Sequence, residues 1–362
     1  MDLIPLSPFA DFIATYFDDG ANPWLALILA VIVHSIFFLC FVSAILAYMD
    51  RKIGADIQMR IGINRTGPFG VAQGLADGIK FIFKEDLVPN HVRGLFFHWG
   101  PTLAIVATFV AFGTIPLSES WFLSNMSWGV VFVVAMLGMV QLILFLAGYS
   151  SGSPWAIIGS FRLIALMTAF IAPVSISVLP VILITGSGSL VDIAKVQGGA
   201  PWNWLVFSYP TTIPAFVVIY AGLLIWGGRA PFDLAYGGKE IAGGLLTEYS
   251  GLRKGYLQSL QHFQVLLSSS LVVALFLGGW NVPLNMESIG RAANIVQYLV
   301  FMAKVFLLVL IGIWIRWSLP RLRVDQVLNF SWKVLVPIAL LSSVGTAFWL
   351  VLTSGRGIGD FL

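Results

Sequence analysis

Three polar stretches hold most of the residues that could do chemistry. The first, YMDRKIGADIQMRIGINRTGPFGVAQGLADGIKFIFKEDLVPN, brings Asp50, Arg51 and Lys52 together and places Asp77 as a lone acid among apolar neighbours. The second, GGRAPFDLAYGGKEIAGGLLTEYSGLRK, spaces Asp233, Glu240 and Glu248 at intervals of 7 and 8, which puts them on one helix face if the stretch is helical. A row of carboxylates in an apolar setting suits a proton relay or a cation path. The blander reading is that Asp233 caps a helix and Glu240 pairs with Lys239 or Arg253. The third stretch, IRWSLPRLRVDQVLNFSWK, offers Arg316, Arg321 and Arg323 to anionic lipid headgroups or to an acidic partner face.

The composition decides what must position these groups. Of 362 residues, 58% are hydrophobic and 10% charged, whereas a soluble domain carries roughly 25% charged residues. So few charges cannot cover the surface of a water-soluble chain, and the expected fold is an all-α polytopic membrane protein. One cysteine, Cys40, excludes a disulfide framework and a self-contained iron–sulfur cluster. His34, His91, His98 and His262 lack ligand spacing, so no metal or haem site is expected. Twenty basic residues scattered between apolar runs make no nucleic-acid footprint. The N-terminal MDLIPLSPFADF, with Asp2 and Asp11 and no basic region, does not read as a signal peptide.

A window of about 20 apolar residues predicts eight spans, at about 24–48, 99–117, 127–148, 159–185, 204–227, 259–280, 293–315 and 333–353. Residues 1–362 then form a single membrane domain, with loops at about 49–98, 149–158, 228–258 and 316–332 on one side. Fifteen of the twenty basic residues fall on that side, which makes it cytoplasmic and puts both termini outside. Val71 to Asp86 reads as an amphipathic helix, with Leu75, Ile79, Ile82 and Phe83 on its apolar stripe. No internal repeat, phosphate loop or inverted pair of broken helices is visible.

The motifs DRKIGADIQMRIGINRTGP, QGLADGIKFIFKED, RAPFDL with TEYSG, FLGGW, and IWIRWSLPRLRVDQVLNFSWKVLVP occur in order along essentially the whole chain. In them the sequence resembles the H/1 family of membrane subunits of NADH:quinone oxidoreductase, respiratory complex I. That resemblance implies a tunnel through which a quinone headgroup reaches the last iron–sulfur cluster, quinone being reduced on a partner subunit. It also implies that this chain binds no cofactor, and that flavin and iron–sulfur clusters sit on partner subunits. The implied partners are peripheral-arm quinone-site and iron–sulfur subunits, other membrane subunits, lipid and quinone, in a bacterial inner membrane. The positions matching tunnel and junction residues are Arg51, Arg60, Asp77, Phe232 and Asp233. A proton relay would use Asp50, Asp77, Asp233, Glu240 and Glu248, and Arg51 and Arg60 would line the tunnel mouth and hold its acids ionised.

The chain departs from the family at several ionisable positions. Asp50 stands for the family's Glu, Phe170-Ile171 for Tyr-Glu, Trp226 for an acid, Tyr236 and Gly238 for glutamates, and Pro154 for a Lys. Quinone-channel function, with quinone reduction coupled to proton translocation, is the leading expectation. An anchor subunit of a related energy-converting hydrogenase-type complex and a redox-uncoupled structural or ion-transport scaffold are the alternatives.

Overall fold

The computed structural model describes residues 42–90, 92, 94–119, 121–122, 124–237, 242–283 and 293–354. Cys40, His34, His91, Glu240 and residues 24–41 of the first predicted span lie outside the described residues. Among the described residues the secondary structure is helical, with no strand. In chain order the helices are α1 (Ser43–Ile57), α2 (Gln73–Phe83), α3 (Leu95–Gly113), α4 (Gly129–Ser150), α5 (Pro154–Thr185) and α6 (Leu190–Val196). They continue with α7 (Leu205–Ser208), α8 (Thr212–Trp226), α9 (Gly251–Phe276), α10 (Ala293–Ser318), α11 (Val324–Phe330) and α12 (Val336–Ser354). A π-helical segment, Ser331–Leu335, joins α11 to α12 into one rod.

Six helical segments among the described residues are long and apolar enough to cross a membrane: α3, α4, α5, α9, α10 and the α11–α12 rod. The predicted span 204–227 is instead two pieces, because Pro210 interrupts it, and its apolar helix Thr212–Trp226 is shorter than the others. The chain is therefore a multi-pass membrane protein. α9 is its axis: 83% of its apolar stretch is buried inside the bundle, against 28% for the α11–α12 rod. α9 packs on α1, α2, α3, α8 and α10, while α5 packs on α4, α8 and α12.

Prolines in the spanning helices explain two of the motif residues. Proline lacks an N–H, so it leaves the carbonyl four residues earlier unpaired. Pro101 vacates Phe97 O, and the Tyr249 hydroxyl of the TEYSG motif donates to it at 3.3 Å and to Ala147 O at 3.1 Å. Pro173 vacates Ala169 O, which accepts from Ser331 Oγ at the start of the π segment. In lipid an unpaired carbonyl has no water to turn to, so both hydroxyls fix how distant segments meet. α5 starts with Pro154 in its first turn and stops at Gly186, whose φ of +66° suits the left-handed position after a helix.

Two helices extend beyond their apolar runs. α1 continues through Asp50, Arg51 and Lys52 to Ile57, and α9 begins at Gly251, before Arg253 and Lys254. The predicted amphipathic helix is α2, and Leu75, Ile79, Ile82 and Phe83 are all exposed on it. Among the described residues after α8, 229–237 are not helical, Ala242, Gly243 and Gly244 have positive φ, and only a single 3₁₀ turn, Gly244–Leu246, precedes α9. Asp233 and Glu248 therefore do not share a helix face, which corrects the expected row.

Candidate functional site

The helix ends and turns at the base-rich end of the bundle gather four acid–arginine pairs, of which Arg253 Nε–Asp86 Oδ2, at 3.1 Å, ties the start of α9 to the segment after α2. The other three lie among the residues singled out above. The most buried centres on Asp50, whose side chain is 10% exposed. Arg316, at the end of α10, holds Asp50 Oδ2, and Trp317 Nε1 donates to Oδ1 at 3.4 Å. Arg229, in the turn after α8, approaches the same carboxylate at 3.8 Å. Burial pulls the Arg229 guanidinium down to about 10, with Asp50 opposing the shift. Two cations against one carboxylate leave this cluster with a local surplus of positive charge.

The second pair ties α1 to α2. Arg51 Nη1 lies 2.8 Å from Asp77 Oδ2, Lys80 reaches Asp77 Oδ1 at 3.3 Å, and Gln73 Nε2 donates to that oxygen at 3.2 Å. Burial raises the Asp77 carboxyl, but Arg51, Lys80 and Gln73 outweigh it and hold the acid below its ordinary 3.8. A carboxyl with a depressed folded-state pKa stabilises the fold above its unfolded value, and that stability is lost as pH falls through the folded value. We therefore expect amide exchange along α2 to accelerate below about pH 4, and Arg51→Gln to speed exchange at neutral pH while weakening that acid-side acceleration. Exchange at neutral pH unmoved by Arg51→Gln would show that the pair does not hold α2.

The third pair fastens the turn after α8 to the loop after α10. Arg321 Nη2 sits 2.6 Å from Asp233 Oδ2, and Leu322 N donates to Pro231 O at 3.1 Å. Phe232 is buried beneath this turn, its N–H bonded to Arg229 O at 2.8 Å. Tyr236 is buried beside it, and burial first, then Asp233, pushes its hydroxyl above the usual phenol range. α5 comes so close here that a Cβ on Gly159 would stand 2.8 Å from Leu245 N and 3.0 Å from Ala235 O.

The sequence-predicted residues divide accordingly. Arg51 with Asp77, Asp50, Phe232 and Asp233 come to one end of the bundle. Glu248 is half-buried in the following turn, and Glu240 lies outside the described residues. Arg60 is exposed, donates from Nε to Gln58 Oε1 at 2.8 Å, and joins no ion pair among the described residues. It holds no acid ionised here, which corrects that expectation. Sequence reading misses Arg229, Arg316 and Arg321 as counter-ions. It offers the latter two to lipid or a partner, yet they turn inward to Asp50 and Asp233.

The fold and its polar end define a multi-pass helical membrane protein with acid–arginine pairs clustered at one end. The model of the NADH dehydrogenase family matches residues 29–347. The H subunit of the NADH-quinone oxidoreductase of Anaeromyxobacter dehalogenans (strain 2CP-C) is 31% identical, over 91% of this chain and 84% of its own. That of Rubrobacter xylanophilus is 34% identical, over 92% and 96% respectively. Among solved structures, the membrane-bound sulfane sulfur reductase, an archaeal respiratory membrane complex, contains a chain similar at TM-score 0.77 and 26% identity. The likeness covers 88% of this chain and 99% of that one. The chain belongs to the NADH dehydrogenase family, the H/1 family of complex I membrane subunits.

Proposed function

We propose that this chain is the quinone-channel and junction subunit of a complex I-type NADH:quinone oxidoreductase in a bacterial inner membrane, with both termini on the outer side. The observation that carries the reading is the convergence of Asp50, Asp77 and Asp233, each held by an arginine, at one end of an otherwise apolar bundle. The exposed apolar stripe of α2 beside them suits a peripheral-arm subunit carrying the quinone site. Quinone is the substrate, moving along Arg51, Arg60, Asp77, Phe232 and Asp233, while flavin and iron–sulfur clusters belong to partner subunits. This chain binds no cofactor of its own. Proton translocation uses Asp50, Asp77, Asp233, Glu240 and Glu248.

The likeness to the sulfane sulfur reductase chain favours a second reading, an anchor in a related complex whose acceptor is not quinone. The two separate in one assay on the purified native complex. Under the quinone reading, inhibitor-sensitive quinone reduction is present, and Arg60→Ala slows it about tenfold or more (~1.4 kcal/mol) while transfer to a soluble dye acceptor persists. An intact complex that accepts electrons but passes none to quinone supports the second.

A further inference from the structure

The loop between α1 and α2 carries a chain of side-chain hydrogen bonds that ends on the Asp77–Arg51 pair. Thr66 Oγ1 donates to Gln73 Oε1 at 2.6 Å, and Gln73 Nε2 donates to Asp77 Oδ1 at 3.2 Å. Asp77 Oδ2 then meets Arg51 Nη1 at 2.8 Å. The directions follow from the partners. An ionised carboxylate only accepts, so the amide must turn its N–H to Asp77, which leaves its oxygen for a donor. The Thr66 hydroxyl is that donor.

The loop backbone holds Thr66 in place. Ala72 N donates to Thr66 O at 3.3 Å, closing residues 66–72 onto the start of α2. Tyr48 Oη, from α1, donates to Phe69 O at 3.1 Å, and Phe69 itself has a φ of +55°. A side-chain-bearing residue in the left-handed region is costly and persists where its surroundings hold it. Gly70, at φ +83°, passes so close to Ile63 that a Cβ would stand 2.5 Å from its carbonyl oxygen. α1, the loop and α2 are thus fastened together, and Arg51, with its side chain 51% exposed, is the member of the chain that faces outward. Lys80 also reaches Asp77 Oδ1, at 3.3 Å. A flexible ammonium supplies charge without fixing direction, whereas an amide bonded at both ends fixes it.

We propose that Thr66 and Gln73 are positioning residues for Arg51: the Thr66 hydroxyl locks the Gln73 amide, the amide orients the Asp77 carboxylate, and the carboxylate aims the Arg51 guanidinium at the quinone headgroup. Both residues act through Asp77 rather than on quinone. The lock stands on the hydrogen bonds alone; its effect on quinone rests on the quinone-channel reading above.

The test is a double-variant cycle in the native complex, read as the KM for a short-tailed quinone, kcat, and amide exchange along α2. Thr66→Val removes the hydroxyl at nearly constant shape and should raise KM about threefold, the scale of one neutral hydrogen bond, with kcat and transfer to a soluble dye unchanged. Thr66→Ser should keep the KM of the parent. Gln73→Leu should raise KM at least as far as Thr66→Val. Adding Thr66→Val to Gln73→Leu should then change nothing more, since the hydroxyl has no amide left to hold. Exchange along α2 should follow the same pattern. Additive effects in the double variant overturn the relay. So does a Thr66→Val complex with KM and exchange both unchanged, and that comparison decides even where Gln73→Leu prevents assembly. Exchange that follows the pattern while KM stays fixed in every variant overturns the aiming of Arg51 at quinone. An unmodified complex that reduces no quinone refutes the quinone reading instead, and the exchange pattern then decides the lock.

Discussion

Asp50→Ala is expected to lower the stability of the bundle by about 3–5 kcal/mol, the usual cost of removing one partner from a buried ion pair. The carboxylate is 10% exposed and faces Arg316, Arg229 and the Trp317 indole N–H. Without it, two guanidiniums are left close together with no anion, and α1 loses its ion pairs to α10 and to the turn after α8. The measurement is the thermal midpoint of the complex in detergent, with protein level in membranes as a second readout. Asp50→Asn should be milder, since the amide oxygen still accepts a hydrogen bond, and Asp50→Glu milder again. Adding Arg316→Gln to Asp50→Ala should recover part of the loss, because the double variant removes one of the stranded charges. A midpoint for Asp50→Ala within about 1 °C of the parent, where a loss of this size should shift it by several degrees, would show that the cluster is solvated rather than buried.

Lys304→Met is expected to cost about 3 kcal/mol or more, since each buried acceptor left unpaired costs about 1–3 kcal/mol. The ammonium of Lys304, within α10, donates to Leu277 O at 2.9 Å, Gly279 O at 3.0 Å and Asn281 O at 3.2 Å. It also lies 4.6 Å from the centre of the Trp204 ring. Leu277 and Gly279 belong to the FLGGW turn that ends α9 and Asn281 follows it directly, at a helix C-terminus, which favours a cation. Gln197 supports the same turn, donating to Ala274 O and Leu275 O and accepting from Gly278 N. Lys304→Arg should not restore stability, because a planar guanidinium cannot converge on three carbonyls as a compact ammonium does. Faster proteolysis at residues 277–283 would accompany the loss in Lys304→Met. Unchanged proteolysis and an unchanged midpoint would contradict the capping role.

These two residues show what is legible in the sequence and what is not. Asp50 stands out as an acid at the foot of an apolar run, and its position near the site follows from that. Its partners do not, since Arg316 is 266 residues away and hydropathy carries no information on pairing. Arg321 and Asp233 are 88 residues apart and are hidden for the same reason. Basic residues in a loop read as surface charge until the fold shows which of them turn inward. Lys304 is visible only as a cation inside a span, because its acceptors are backbone carbonyls that no residue type marks.

The spanning helices are legible because lipid demands long apolar runs, and the exposed stripe of α2 is legible from its period. Their ends are less so. α1 and α9 continue several residues past their apolar stretches, since charged residues with ion-pair partners tolerate a helix end at the membrane surface. The spacing of its acids alone suggests a helix for the turn after α8. Pro231 and the glycines at 243 and 244, with their positive φ, are the signal that outweighs that spacing.

The quinone-channel reading is tested most directly by photolabelling the purified native complex with a short-tailed azido-quinone and mapping the labelled peptides on this chain. Label on residues 50–60 and 229–236, displaced by excess quinone and reduced in Arg51→Ala, is the predicted result. Label confined to lipid-facing positions of α10 and α12, with none displaced by quinone, would contradict it.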